Sequence, residues 1–288
     1  GAQITFQPDI HAKQCPYCAT PIVTDTGTHR HIKPKGVIPF HVTEPQAHTA
    51  MSDWLGRLWF APNGLRAYAS RARKMEGIYV PFWTYDADTA TQYRGQRGDI
   101  HYVTTRGRDG KPRMEQRIRW RSASGRVTRA FDDILILASQ SLPKRFTDQL
   151  APWDLSRLTA YRAEFLSGFR AEGYQLGLQA GFDEAKAVME DQIRADIRHD
   201  IGGDMQRIEQ MTLRIDDVTF KHILLPIWVA AYRYRGRSYR FVVNGQTGRV
   251  QGERPWSWIK ITLALILAAL ALGAVAYGFA HLEASGGF

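Results

Sequence analysis

Apolar and polar residues alternate along this chain in a way that predicts a mixed helical and β-rich body. Residues 36–42 have the pattern of a short strand, and Thr43 followed by Gln46 has the spacing of a helix capping box. A second short helix is predicted over 62–73. Between the capping box and residue 62, apolar residues recur at helical spacing: Ala47, Met51, Trp54, Leu55 and Leu58.

Two similar apolar segments, at 78–84 and 223–229, predict strands that resemble an internal repeat. Each contains a proline, which a sheet tolerates at an edge or a bulge. A Tyr-Arg-Gly tripeptide follows each segment, at 93–95 and 234–236, so we expect each strand to lead to a turn and a returning strand. Residues 244–248 (NGQTG) have the composition of a hairpin turn. We interpret the two segments as halves of one β-rich domain, with chance similarity as the alternative.

A helical insert is predicted between these halves, over about 151–202. Residues 153–174 supply aromatic and leucine positions, and residues 184–201 place apolar side chains on one stripe: Ala185, Val188, Met189, Ile193, Ile197 and Ile201. The other face is mixed in charge. An ordinary helix packed on the sheet is the simpler interpretation, and a partner-binding helix is the alternative.

The C-terminal region contains an uncharged run, 261–279, that predicts a transmembrane helix over 259–281. Its nineteen residues would extend about 28 Å, close to the roughly 30 Å hydrocarbon core of a bilayer. Aromatic and basic residues flank the run at the positions where a membrane interface favours them. These predicted anchors are Trp256, Trp258, Lys260 and Tyr277.

Charged residues beside this run predict its orientation. Arg249, Arg254 and Lys260 precede it, whereas the tail after it contains no lysine or arginine. The positive-inside rule therefore places residues 1–255 in the cytoplasm and the C-terminus outside. We expect a single-pass membrane protein with most of its chain in the cytoplasm.

Composition narrows the class of protein further. The chain carries 38 basic and 28 acidic residues, and its mean hydropathy is below zero, which excludes a multi-span transporter. Its two cysteines, Cys15 and Cys18, are too close to form a disulfide scaffold and indicate a reducing compartment.

Cys15 and Cys18 form a CxxC pair, which is half of a structural zinc site. We expect residues 1–35 to be a zinc-ribbon fragment whose first CxxC lies upstream of Gly1, so that zinc would bind only with those ligands. Two alternatives stay open: closure of the site by His29 and His31, and a redox pair.

Candidate chemistry elsewhere is sparse. Asp86 and Asp88 are two residues apart and would share a strand face, where they could bind a cation or exchange protons, or simply be two exposed acids. The motifs of phosphate-binding loops, dinucleotide sites, serine hydrolases and HExxH metalloproteases do not occur. We therefore expect a protein that is not an enzyme.

Arginines alternate with apolar residues on two predicted strands and could form basic surfaces. Such surfaces could face nucleic-acid phosphates, the anionic lipid of the cytoplasmic leaflet, or only solvent. A body tethered close to a bilayer favours lipid over nucleic acid. The residues are Arg117, Arg119 and Arg121 on the first strand, and Arg233, Arg235, Arg237 and Arg240 around the second.

Three sequence segments together resemble those of a family of bacterial zinc-ribbon membrane proteins: 77–88 (GIYVPFWTYDAD), 225–228 (LPIW) and 244–248 (NGQTG). Members carry labels such as TFIIB-type zinc ribbon or primosomal helicase-like. The resemblance implies an N-terminal zinc ribbon, an α+β region and a C-terminal membrane segment. It also implies an association with flotillin-like SPFH proteins and phage-shock-type systems, and no established catalytic residues.

The sequence and this resemblance together predict a non-enzymatic, membrane-anchored zinc-ribbon adaptor or accessory subunit of the bacterial inner membrane, which recruits or stabilises protein partners at the cytoplasmic membrane. Its partners would be the membrane and other proteins, such as a larger membrane complex or SPFH-type proteins. A membrane-tethered nucleic-acid-binding protein is the alternative.

Overall fold

The computed structural model describes residues 10–14, 21–23, 32–63, 65, 75–106 and 112–285. The chain divides into two compact units. The first contains Gly1–Ile38, Tyr79–Lys144 and Asp154–Leu225, and the second contains Pro39–Ile78, Arg145–Trp153 and Pro226–Phe288. The predicted α+β class is confirmed, with a β-rich body and a C-terminal apolar helix.

Strands make up most of the body. In chain order they are β1 (Ile10–Gln14), β2 (Pro21–Val23), β3 (Gly36–Val37), β4 (Glu76–Arg106), β5 (Pro112–Leu137), β6 (Thr159–Ala160), β7 (Arg170–Glu172), β8 (Met205–Tyr234), β9 (Arg237–Asn244) and β10 (Val250–Gly252). The α-helices are α1 (Glu44–Gly56), α2 (Lys144–Thr147), α3 (Leu178–Ile201) and α4 (Trp258–Ser285). Short 3-10 turns occur at Asp148–Leu150, Leu155–Arg157 and Ala163–Leu166.

The first unit is built around a long antiparallel ribbon of β4 and β5. The pairing runs from Phe82 opposite Leu137 to Arg106 opposite Pro112. Strand β8 lies on the other side of β4, where the Asp204 N–H donates to the Gly98 carbonyl at 3.0 Å. Cross-strand partners share a face, so this register decides which side chains lie together on each face of the ribbon.

Helix α3 covers one face of this sheet. Its buried stripe consists of Gly181, Ala185, Met189, Ile193, Ile197 and Ile201, which confirms the predicted apolar stripe except at Val188, which is 39% exposed. Two side chains of β4 donate hydrogen bonds to α3 and to the segment that precedes it. Trp83 Nε1 donates to the Leu176 carbonyl at 2.8 Å, and the Tyr93 hydroxyl donates to Asp200 at 2.6 Å. Burial and the neighbouring Asp200 carboxylate raise the pKa of Tyr93 to about 12.

The predicted helical insert, 151–202, is helical only in its second part. The helix begins at Leu178, whereas the preceding residues form 3-10 turns and the short strands β6 and β7. Gly168 has a φ of +85°, a left-handed conformation that an α-helix does not accept. The prediction was wrong for 151–177, because the backbone there pairs with distant strands, β6 with β3 and β7 with β1.

The predicted repeat also differs between its halves. Strand β4 continues straight through 93–95, where Tyr93 is buried and Gly95 lies against the Arg207 backbone. The second Tyr-Arg-Gly forms the turn between β8 and β9, with a φ of +48° at Arg235 and +79° at Gly236. The turn expected after the first apolar strand is therefore absent at 93–95.

The second unit contains a three-strand meander and helix α1. The end of β8 pairs with β9, and β9 pairs with β10. The predicted hairpin turn at 244–248 is confirmed, since Asn244 Oδ1 accepts from the N–H groups of Gln246 at 2.8 Å and Thr247 at 3.0 Å.

Helix α1 begins as predicted, with the Thr43 N–H donating to Gln46 Oε1 at 2.9 Å. It buries Ala47, Met51 and Leu55 and packs against β9 and β10. Most of the second predicted helix, 62–73, lies outside the described residues.

Candidate functional site

Helix α4 contains a segment, Trp258–Gly278, that is long and apolar enough to cross a membrane. Its 21 residues extend about 32 Å, against a hydrocarbon core of roughly 30 Å. None of this segment is buried in the structure. A core helix of a water-soluble protein would hide such a surface, because exposed leucine and isoleucine are unfavourable in water.

The predicted anchors lie at the two ends of this segment. Trp256 is 50% exposed, Trp258 is 76% exposed and Tyr277 is 73% exposed. The Arg254 guanidinium lies 4.1 Å from the centre of the Trp256 ring, which is a cation–π contact.

The fourth predicted anchor, Lys260, binds the loop that follows α1. Its ammonium group donates to the carbonyls of Trp59 at 3.2 Å and Ala61 at 2.9 Å. The Ser257 N–H donates to the Phe60 carbonyl at 2.8 Å. Three consecutive backbone carbonyls of this loop therefore bind the first turn of the apolar helix.

The second set of predicted basic residues surrounds the turn between β8 and β9. Arg233, Arg235, Arg237 and Arg240 are all exposed. They do not form one surface: Arg233 and Arg240 face the same side as Ala231 and Ser238, whereas Arg237 lies opposite Tyr234 on the tyrosine face. The register thus divides a basic group that the sequence treats as one.

Arg117, Arg119 and Arg121 share the charged face of the β4–β5 ribbon, as the alternation predicts. Each lies opposite a residue of β4: His101, Asp99 and Arg97, respectively. Acidic groups partly neutralise this face, because Asp99 accepts from both Arg97 and Arg121 and Arg117 binds Glu115 at 3.0 Å. These hydrogen bonds from Arg97 and Arg121 hold the pKa of Asp99 below its usual range.

The opposite face of the same ribbon carries several apolar side chains toward its far end, interspersed with Thr104 and Gln116, which the sequence reasoning missed. Ile100 lies opposite Ile118; on the same face, Tyr102 is one step farther and opposite Gln116, and Met114 is two steps farther and opposite Thr104. Tyr102 is 62% exposed and Met114 is 75% exposed. We call Ile100, Tyr102, Met114 and Ile118 the apolar strip. The alternation of Ile118 and Trp120 with arginines was the signal for it.

Asp86 lies in a cluster with Asp132 and Asp133, which the chain forms at a bulge in the β4–β5 pairing. Their ligand atoms lie within 4.8 Å of one another. Lys221 Nζ stands among them, 3.3 Å from Asp86 and 3.1 Å from Asp133, and the Thr219 hydroxyl donates to Asp86 at 2.9 Å. Asp88, the other predicted carboxylate, is exposed on the same strand.

Lys221 neutralises part of the negative charge of this cluster of three carboxylates. Partial burial favours the neutral form of Asp86, but hydrogen bonds from the Asp133 N–H, Thr219 and Lys221 outweigh it and lower the Asp86 pKa. Burial lowers the Lys221 pKa, but the carboxylates of Asp133 and Asp86 outweigh this effect and raise it. One ammonium group thus pairs with two of the three carboxylates, Asp86 and Asp133.

The predicted zinc ligands Cys15 and Cys18 lie outside the described residues, as do His29 and His31. The strands on either side of the cysteine pair are described, and β1 and β2 pair antiparallel with Gln14 opposite Pro21. Strand β1 also pairs with β7. The N-terminal segment therefore joins the sheet of the first unit through β7.

Comparison with known proteins gives one relative of similar sequence. The chain is 25% identical over 238 residues to a Bacillus subtilis (strain 168) protein named uncharacterized protein YdjG. The match covers 80% of this chain and 66% of the Bacillus protein, so the chain spans slightly less than two thirds of that relative. No family model and no solved structure matches the chain.

Proposed function

We propose that this protein is a single-span, non-enzymatic membrane adaptor. Helix α4 anchors the chain in the cytoplasmic membrane of a bacterium, and the body recruits or stabilises protein partners there. The observation that carries the proposal is that none of the apolar segment Trp258–Gly278 is buried. A surface of this kind needs a hydrocarbon environment, and a bilayer supplies it.

The charge distribution supports a cytoplasmic body. Arg249, Arg254 and Lys260 precede the uncharged run 261–279, and residues 280–288 contain no lysine or arginine. Positive residues stay on the cytoplasmic side of a membrane helix. The C-terminal tail is therefore on the outer side.

The ribbon provides the surface for a protein partner. Its apolar strip exposes a tyrosine, a methionine and an isoleucine on one face, and aromatic residues and methionine are enriched in protein interfaces. The arginines on the opposite face are partly paired with acids of the ribbon, so they offer less free charge to nucleic-acid phosphates. These two features favour a protein partner over nucleic acid.

The proposal also includes a structural zinc site and a class of protein partner. Cys15 and Cys18 would supply two thiolates of a structural zinc site. An SPFH-type membrane protein or a larger membrane complex would be the partner, and anionic lipid would contact the arginines near the membrane.

Affinity capture from detergent-solubilised membranes tests recruitment through the strip. The full chain is compared with a strip variant, Tyr102→Ser with Met114→Ser and Ile118→Ser. The matched control, Arg117→Gln with Arg119→Gln, changes the opposite face of the same strands. All the substituted side chains are exposed, so we expect both variants to have the unfolding midpoint of the full chain. Equal midpoints show that both variants fold.

We expect the strip variant to lose the stoichiometric partners of the full chain and the control to keep them. Identical partners in all three proteins would reject the strip as the docking surface. Loss in the arginine control alone, together with DNA or RNA affinity that falls steeply with salt, would favour the nucleic-acid alternative.

A further inference from the structure

A tight turn after helix α1 exposes two aromatic side chains. The Ala61 N–H donates to the Leu58 carbonyl at 3.0 Å, which places Trp59 and Phe60 at the two central positions of the turn. Trp59 is 84% exposed and Phe60 is 37% exposed. We call residues 58–61 the Trp59 turn. Such exposure of a tryptophan is unfavourable in water and indicates a surface that something covers.

The Trp59 turn is fixed to the start of the apolar helix. Lys260 donates to the carbonyls of Trp59 and Ala61, and the Ser257 N–H donates to the carbonyl of Phe60. The backbone of the turn is therefore held beside residues 257–260, while the Trp59 side chain stays exposed. The exposed tryptophans Trp256 and Trp258 belong to this same stretch of chain.

This attachment sets the depth of the turn relative to a bilayer. The uncharged run begins at Ile261, so the edge of the hydrocarbon core falls near that residue. The interfacial layer extends roughly 5–7 Å beyond the hydrocarbon on each side, about the length of one helical turn. Residues 257–260 occupy that turn, and the Trp59 turn lies beside them. Tryptophan is the residue that this layer favours most clearly, because its ring is apolar and its N–H is polar.

We infer that the Trp59 turn is a second membrane contact, inserted in the lipid headgroup layer next to the transmembrane helix. The inference rests on the proposed membrane anchoring by α4. A helix alone lets a body pivot about one point, whereas two contacts fix its orientation. The Trp59 turn thus orients the second unit against the bilayer, and Lys260 couples the turn to the helix.

Fluorine NMR of the full chain in lipid nanodiscs tests this contact. The eight tryptophans are replaced biosynthetically by 5-fluorotryptophan. Trp59→Phe and Trp258→Phe identify the two resonances of interest by their disappearance. The nanodiscs contain phosphatidylethanolamine, phosphatidylglycerol and a lipid with a nitroxide on its headgroup, and reduction of the nitroxide by ascorbate gives the reference intensities.

We expect the Trp59 and Trp258 resonances both to lose most of their intensity beside the nitroxide headgroup. If Trp258 loses intensity and Trp59 keeps it, the second contact is wrong while the helix anchor stands. If both keep their intensity, the helix is not in the bilayer, and the proposed function fails together with this inference.

A substitution tests the coupling through Lys260. Lys260→Met removes the two hydrogen bonds to the turn, so the nitroxide should broaden Trp59 less while Trp258 is still broadened. Arg254→Met is the matched control, because it removes a nearby positive charge that stacks on Trp256 and does not take part in these hydrogen bonds. Equal broadening of Trp59 in both variants would contradict the coupling.

Discussion

The Arg129 guanidinium binds the Asp196 carboxylate through two parallel hydrogen bonds, each of 2.6 Å. This pair joins β5 to helix α3 at the edge of the first unit's core. The bonds from Arg129 hold the pKa of Asp196 below its usual range, and those to Asp196 raise that of Arg129. Two parallel bonds fix the geometry of both side chains, which a single contact does not.

We predict that Asp196→Asn lowers the free energy of unfolding by about 1 kcal/mol, because it breaks a bidentate, charge-assisted pair. Glu190→Gln on the same helix is the control, since Glu190 and Arg194 have a similar exposure but are 4.0 Å apart, and such a pair contributes about 0.3 kcal/mol. Chemical denaturation of both variants in detergent measures the difference. Equal losses would show that the bidentate geometry adds nothing.

The cluster of Asp86 and Lys221 predicts a pH dependence of stability. Because folding lowers the Asp86 pKa, its ionised form stabilises the fold at pH values above the unfolded-state pKa of about 3.9. That contribution disappears as the pH falls through the lower, folded-state pKa. We therefore expect Asp86→Asn to be less stable than the wild type at pH 7, and the difference to shrink below about pH 4.

Urea unfolding from neutral to acidic pH measures this effect. Asp88→Asn, which removes an exposed carboxylate two residues away on the same strand, controls for the change in net charge. A stability difference between Asp86→Asn and the wild type that stays constant down to acidic pH would contradict the prediction.

The two Tyr-Arg-Gly tripeptides predict different effects of the same substitution. An alanine Cβ at Gly95 would collide with the Arg207 carbonyl oxygen and approach Ile201, so Gly95→Ala should cost about 2 kcal/mol or more. Gly236 has open space around it but a φ of +79°, so Gly236→Ala should cost about 1 kcal/mol through backbone strain alone. Unfolding midpoints of the two variants test the order, and a larger loss at Gly236 would reverse it.

Local patterns could be predicted from the sequence. Thr43 and Gln46 are three residues apart, the stripe of α3 repeats along one helix, and the apolar run of α4 is continuous, so each feature is visible in one stretch of chain. The mistakes at 93–95 and 151–177 have a common reason. A short motif does not state whether a strand continues or turns, because packing partners far along the chain decide that.

Contacts between distant residues could not be predicted. Lys221 reaches Asp86 only because β8 lies beside β4, and the apolar strip exists only because Ile100 pairs with Ile118. The Trp59 turn is likewise held in position by a hydrogen bond from Lys260, which lies 201 residues farther along the chain. In each case the residue types are visible in the sequence, whereas their arrangement depends on strand register or tertiary hydrogen bonds.

Alkaline carbonate extraction of membranes from cells that produce the full chain tests the central claim most directly. A chain anchored by Trp258–Gly278 stays in the membrane pellet, because alkaline carbonate releases peripheral proteins and leaves a membrane-spanning helix in place. Release of the chain into the supernatant would contradict the account.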